Sequence, residues 1–464
     1  MKKILHKYIG DRAFYAMVLG VVVPIMVQNG ITNFVSLLDN IMVGRVGTEP
    51  MSGVAIVNQL MFVFNLCIFG AISGAGIFGA QFYGSGSHEG VRHAFRFKLI
   101  VSAILMVGTC ALFFFCGDNL IQLYLHGEEN QAELAAALHY GKEYLLIMLL
   151  GMPPFALEQS YSSTLRECGE TLVPMKAGIV AVFVNLCLNG ILIFGMFGFP
   201  ALGVAGAAIA TVVARYIEMA IVVIWTHRHA EQYPFIRGAY RSLYIPGNLV
   251  GKILVKGTPL MLNEGLWAAG MAVMMQCYSV RGLETVAAMN ISSTISNLFS
   301  VVFISLGNAV GIIIGQLLGA DKMEKAKETD TRLITFSVLS CVAVGTVLAF
   351  FAPLFPEMYN TTDGVKALAV NFIRIGAIYM PVWAFLNACY FTLRAGGRTI
   401  ITFLFDSVFV WCISIPVAFV LSHYTSMAIV PLYFFCQMLD LIKCVVGFVL
   451  VKKNVWLTNI VGKN

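Results

Sequence analysis

PPFALEQSYSSTLRECGET (153–171) and MPVWAFLNACYFTLRAGGRT (380–399) are two versions of one segment. At an offset of 228, Pro153 pairs with Pro381, Thr164-Leu165-Arg166 with Thr392-Leu393-Arg394, and Gly169 with Gly397. Nearer the N-terminus an offset of 235 pairs Pro24 with Pro259, Gly30 with Gly265, Gly47 with Gly282, Gln81 with Gln316 and Gly84 with Gly319. Apolar matches arise cheaply by chance, whereas matched Pro, Gly, Gln and Arg at a near-constant offset do not. The chain is therefore doubled, and what is doubled decides the fold.

Its 464 residues are 59% hydrophobic and 12% charged, with a mean hydropathy of +0.82. Soluble domains carry about 25% charged residues, so this chain could not cover a globular surface with polar groups. Runs of about 20 apolar residues, long enough to cross a bilayer, recur from 13–43 to 427–451 and give twelve spans. Six spans per repeat is an even number, so both halves enter the membrane in the same direction. That is a parallel repeat about an axis along the membrane normal, an arrangement found in secondary transporters. The expected fold is an all-α polytopic membrane protein with twelve transmembrane helices in two pseudo-symmetric six-helix bundles. An N-terminal lobe over 1–226, a cytoplasmic linker over 227–250 and a C-terminal lobe over 251–464 would enclose a central cavity.

With the N-terminus inside, the inner segments hold 23 Lys and Arg, against four in the outer loops (Arg45, Lys142, Arg281 and Lys366). This positive-inside bias places both termini in the cytoplasm and the chain, multi-pass, in the plasma (inner) membrane. No loop is long enough for a soluble domain, which argues against a receptor or an anchored enzyme. Basic residues form no cluster, so no nucleic-acid partner is expected. The eleven cysteines sit mostly in apolar runs without a CxxC pair, so neither zinc nor redox chemistry is indicated. MKKILHKYIGDR ahead of the first apolar run imitates a signal peptide. That run is too long, contains Pro24 and lacks a small-x-small cleavage site, so it reads as a retained span.

Polar residues inside the spans mark the working face. Plotted on a helix, Gln28, Asn29, Thr32, Asn33, Ser36, Asp39 and Asn40 share one arc of about 140°, which faces a cavity or another helix. Span 8 repeats the pattern with Asn290, Ser293, Thr294, Ser296, Asn297 and Ser300. Span 7 carries Asn263 and Glu264 beside Trp267 and several methionines, span 5 stacks Asn185 and Asn189 one turn apart, and span 2 contributes Asn58 and Gln59. Each Asn or Ser could line a cavity or bind helices together.

The carboxylates separate by depth. Glu264 lies about 16–21 Å into span 7, close to the midplane of a core about 30 Å thick, with no Lys or Arg within four residues on its own helix. Asp39 follows about 39 Å of straight helix. It is either a helix end meeting outside water or, where Pro24 and Gly30 bend the helix, part of the polar wall. Arg215 with Glu218, and Asp440 with Lys443, are spaced i, i+3 and read as self-neutralising pairs. Asp406 and Arg374 have no local partner. GAGIFG (74–79) has the glycine spacing of a dinucleotide loop but lies in an apolar span, where close helix packing explains it better. Asn360-Thr361-Thr362 is a glycosylation sequon in a predicted outer loop.

The stretches P-x14-DNIMVGRVG (24–47), PLMLNEGLWAAG (259–270), TLRECGET with TLRAGGRT, and NLCLNGILIFG with GVAGAAIATVVA (185–214) resemble the multidrug and toxic compound extrusion (MATE) family. The resemblance spans essentially the whole chain. It implies two six-helix lobes and antiport of drug-like, usually cationic, small organic compounds against inward H⁺ or Na⁺, with no other cofactor and a monomer as the expected state. By the same resemblance Asp39 is the ion-coupling aspartate, with Na⁺ there as the only metal implied. Asn185, Asn189 and Thr211 are its neighbours, and Glu264 matches a seventh-helix glutamate that acts at the substrate cavity. Gln28, Asn33, Asn58, Gln59, Trp267, Asn290 and Asn297 would line that cavity. Two positions depart from the family. One branch has an aspartate where this chain has Asn189, and another pairs its glutamate with a tenth-helix aspartate that span 10 lacks. Two alternatives compete. A lipid-linked saccharide flippase of the same superfamily would carry a cationic cavity for pyrophosphate, and an intramembrane enzyme would need a catalytic constellation that is absent here.

Overall fold

The computed structural model describes residues 8–124, 131–359 and 361–462, without the side chains of 35–41, 48–49 and 131–132. Asp39's side chain and Asn360 of the sequon therefore lie outside the described residues. The described residues are helical and contain no strand. The spans are α1 (Arg12–Gly44), α2 (Thr48–Gly84), α3 (His88–Tyr124), α4 (Gln131–Leu149 continued by Met152–Glu167), α5 (Leu172–Phe194) and α6 (Gly203–Arg228). They continue as α7 (Gly247–Ser279), α8 (Leu283–Gly319), α9 (Met323–Phe351), α10 (Asp363–Ala395), α11 (Thr399–Tyr424) and α12 (Ile429–Lys452). Ten of the twelve are long and apolar enough to be recognised as spans by composition alone. The other two are α4, broken at Leu150–Gly151 with Pro153 and Pro154 opening its second piece, and α7, diluted by Lys252, Lys256 and Glu264. Proline suits the first turn of a helix, where its missing N–H has no partner to lose.

The chain forms two compact units. One comprises Val27–Gly79 and His88–Ile253, around a core of Phe64, Ile68, Ile121, Leu145, Met148 and Ala208. The other comprises Met1–Met26, Ala80–Ser87 and Leu254–Asn464, around Val18, Val310, Ile314, Leu318, Leu393 and Trp456. The changeover within α1 follows Pro24, which costs the helix a backbone hydrogen bond.

The segment after α6 is folded onto the first unit. Arg96 of α3 donates through Nε to the Ala239 carbonyl at 2.9 Å, and through its two terminal nitrogens to Tyr244 at 3.0 Å and Gly238 at 2.8 Å. Arg92 donates to the carbonyls of Phe235 and Pro234, both at 3.1 Å. Tyr161 of α4 shares a 2.5 Å hydroxyl–hydroxyl hydrogen bond with Tyr240 and a 3.1 Å one with His227 Nε2. Burial pushes the Tyr240 phenol's pKa up, so it stays un-ionised at neutral pH. Five guanidinium hydrogen bonds to backbone carbonyls give an irregular segment the partners that a helix would supply internally.

Candidate functional site

In the first unit, one string of amides and hydroxyls crosses from α5 to α6. Asn185 and Asn189, four residues apart, face the same way. Asn189 Nδ2 donates to Asn185 Oδ1 at 3.1 Å, and Asn185 Nδ2 to Thr211 Oγ1 at 3.2 Å. The Thr211 hydroxyl donates in turn to the Ala207 carbonyl at 3.1 Å. The helices come close enough because Gly206 has no side chain; a Cβ there would press on the Leu192 carbonyl. Asn185 and Asn189 are both buried. Neutral oxygens of this kind suit a hard cation or a hydrogen-bonded proton carrier.

The other polar residues of this unit separate. Gln28 accepts a 2.7 Å hydrogen bond from Arg166 on α4, which makes it a tie between helices. Asn58 accepts from the Tyr144 hydroxyl at 3.4 Å. Asn33 and Gln59 are exposed. The charges of Arg215 and Glu218 act on each other, while the guanidinium donates to the Gly151 carbonyl at 3.4 Å and lies 4.9 Å above the Phe155 ring. That carbonyl stands at the break in α4, where it also accepts from the Phe155 N–H at 3.4 Å. Glu158 is buried and accepts from Ser162 and from Gln159.

In the second unit, Glu264 is half-buried on α7. Met261, Trp267 and Met271, at i−3, i+3 and i+7 from it, are exposed along the same stripe of helix. A carboxylate flanked by an indole and two thioethers offers charge, a π face and an adaptable apolar surface together. On α8, Asn290 and Asn297 are exposed. The hydroxyls between and after them turn back to their own helix, with Ser293 and Thr294 donating to the Asn290 carbonyl and Ser300 to that of Asn297.

Sequence reasoning gave Asp406 no partner. Asn263, next to Glu264, donates to Asp406 Oδ2 at 3.1 Å, and Lys443 of α12 lies 3.3 Å from Asp406 Oδ1. Lys443 also stands 3.9 Å from Asp440, its i−3 neighbour, so the local pair exists but is shared. The available signal was a lone carboxylate in an apolar run, which requires a partner on another helix. Among the described residues no group of His, Cys, Asp and Glu is arranged to hold a metal ion.

A family model, MatE, matches residues 24–191 and 259–420. The two blocks begin at Pro24 and Pro259, the pair that the internal repeat places in register. The chain is 25% identical over 421 residues to the probable multidrug resistance protein YoeA of Bacillus subtilis, covering 89% of this chain and 88% of that one. It is 24% identical over 412 residues to the probable multidrug resistance protein NorM of Thermotoga maritima, covering 88% and 85% respectively. It also matches the crystal structure of a mutant of the Vibrio cholerae MATE transporter VcmN, with a TM-score of 0.85 and 18% identity over 96% of this chain and 99% of that one.

Proposed function

Because this chain belongs to the MATE family of multidrug efflux transporters, we propose that it exports cationic organic compounds in exchange for inward H⁺ or Na⁺. It is a transporter and not an enzyme, embedded in a membrane through twelve helices. The observation that carries the cationic class is the stripe Met261–Glu264–Trp267–Met271, a mid-span carboxylate set in a soft aromatic and thioether surface. A rigid code of polar groups would select one compound, whereas such a surface re-packs around many.

Coupling is assigned to Asp39 with Asn185, Asn189 and Thr211. An inward cation gains about 2.3 kcal/mol per 100 mV of membrane potential, and its binding in the first half of the chain would drive release of the organic cation from Glu264. Charge distribution supports cytoplasmic termini in the inner membrane, and a monomer suffices because each chain holds both sites. Counted with Glu264 itself, the charged groups of this region sum to a single negative charge, which disfavours a pyrophosphate-linked lipid as cargo.

The test is uptake of a fluorescent organic cation into everted vesicles, with pH and Na⁺ gradients imposed separately. One of the two gradients, imposed alone, should drive export by the wild type and so identify the coupling ion. Asp39→Asn should abolish the response to the gradient, and Glu264→Gln should raise the apparent KM for the cation. Wild-type transport by both variants at equal expression would refute the site assignment. Failure of both gradients would refute the cationic class.

A further inference from the structure

The mixed-charge cluster beyond Glu264 has no part in the exchange described above. Over Leu404–Val408 and Val410–Ser414, α11 widens to π-helical turns, a departure from regular spacing that often occurs at functional positions. Asp406 and Ser407 stand in the first of these turns. Ser407 donates through its hydroxyl to Asn263 Oδ1 at 2.7 Å and through its backbone N–H to the same atom at 3.3 Å. Asn263 is thereby fixed so that its Nδ2 meets Asp406 at 3.1 Å.

Lys443 closes the cluster from α12. Its side chain is 9% exposed, against 23% for Asp406 and 22% for Asp440. The ammonium lies 5.7 Å from the Phe405 ring centre and 5.6 Å from that of Phe409. Asp440 is held from its other side by Trp383 Nε1 at 3.2 Å. One ammonium on a flexible four-carbon stem thus serves two carboxylates, 3.3 Å from one and 3.9 Å from the other. Asn263, the residue next to Glu264, is bonded to Asp406, and the charges of Arg394 and Asp406 both reach Glu264. With all five groups ionised, Glu264, Asp406 and Asp440 exceed Arg394 and Lys443 by a single negative charge.

We propose that Lys443 is a tethered counter-cation: it neutralises Asp406 while Glu264 is empty and moves toward Asp440 when an organic cation occupies Glu264. Asp406 then adds its charge to the hold on the cargo, and the return of Lys443 weakens that hold at release. Lys443 and Asp406 are in this sense positioning residues that set the affinity for cations. The inference rests on the reading of Glu264 as the cation-binding carboxylate.

Binding of tetraphenylphosphonium to the purified full-length transporter tests it. Glu264→Gln should weaken binding, Lys443→Met should tighten it about tenfold, and Asp406→Asn should weaken it by a similar factor, as expected for one charge at close range. The double variant, with one charge of each sign removed, should return to within about threefold of wild type. Lys443→Arg, which keeps both charge and fold, should bind like wild type. Loss of binding in Glu264→Gln with Lys443→Met unchanged or weaker would overturn the tether alone. Tightening by Lys443→Arg equal to that of Lys443→Met would trace the effect to packing, and would also overturn it. Unchanged binding in Glu264→Gln would overturn the reading of Glu264 and the tether with it.

Discussion

Glu167→Gln is expected to destabilise the protein by about 3–5 kcal/mol, the cost of leaving a buried charge without its partner. Lys98 of α3 has a fully buried side chain, and its Nζ lies 2.6 Å from both oxygens of the Glu167 carboxylate. Ser163 and Thr164 accept its remaining protons at 3.0 Å each. All three donors of the ammonium are thereby used, which is what makes a charge tolerable away from water. The space for the carboxylate comes from GAGIFG. A Cβ at Gly76 would stand 2.7 Å from Glu167 Oε1, and one at Gly79 would press on Oε2. Gly79→Ala should therefore reproduce much of the effect of Glu167→Gln without touching either charge. Lys98→Met combined with Glu167→Met should recover most of the loss, because an apolar pair of similar volume has no charge to desolvate. Thermal melting of the detergent-solubilised protein measures all three variants. A double variant no more stable than Glu167→Gln would show that the pair contributes through shape and not through charge.

The same pair marks what the sequence could and could not reveal. Twelve spans, the doubling and the close packing around GAGIFG are local or periodic properties, and each is readable from residue type and spacing. The Lys98–Glu167 contact joins residues 69 positions apart, and nothing in either segment points to the other. The repeat even misleads here. Thr164 and Thr392 are equivalent positions, yet the Thr164 hydroxyl accepts from Lys98 while the Thr392 hydroxyl donates to the buried Asp330 carboxylate at 2.6 Å. The two halves keep the hydroxyl and reverse the charge that it serves. Arg215 and Glu218 show a related limit: their charges act on each other, but the guanidinium's hydrogen bond goes elsewhere. Spacing of i, i+3 makes a pair available, and it gives no sign of the Gly151 carbonyl that receives the guanidinium's hydrogen bond. Asn185 and Asn189 could be placed together by their spacing, and Thr211 beside them by the family resemblance alone. Asp406 could not, since its partners come from α7 and α12.

Gly319→Val should cost about 3 kcal/mol, the upper range of overpacking in a closed core, because the obstacle is backbone and cannot swing aside. A Cβ on Gly319 would press on the Gln81 carbonyl, and one on its repeat mate Gly84 would press on the Gln316 carbonyl. Gln81 and Gln316 are themselves repeat mates, so the contact is reciprocal, each glycine receiving the backbone of the other's glutamine. Such a crossing requires two residues without side chains at the point of closest approach. The Gln81 side chain then extends the joint. Its Nε2 donates to the carbonyls of Ala395 at 2.8 Å and Thr458 at 3.2 Å, and its Oε1 accepts from the Ile460 N–H at 2.8 Å. The segment after α12 is anchored as well by Trp456, which is 1% exposed and packs its carbonyl on Gly396. Gln81→Leu should keep the crossing but strand these backbone groups, at about 1–3 kcal/mol, and expose the segment around residues 457–461 to protease. Gly319→Val should instead lower the melting temperature by several degrees while the segment stays bound to Gln81. A melting temperature within about 2 °C of wild type for Gly319→Val, or equal protease sensitivity in both variants, would rule out this division between crossing and clasp.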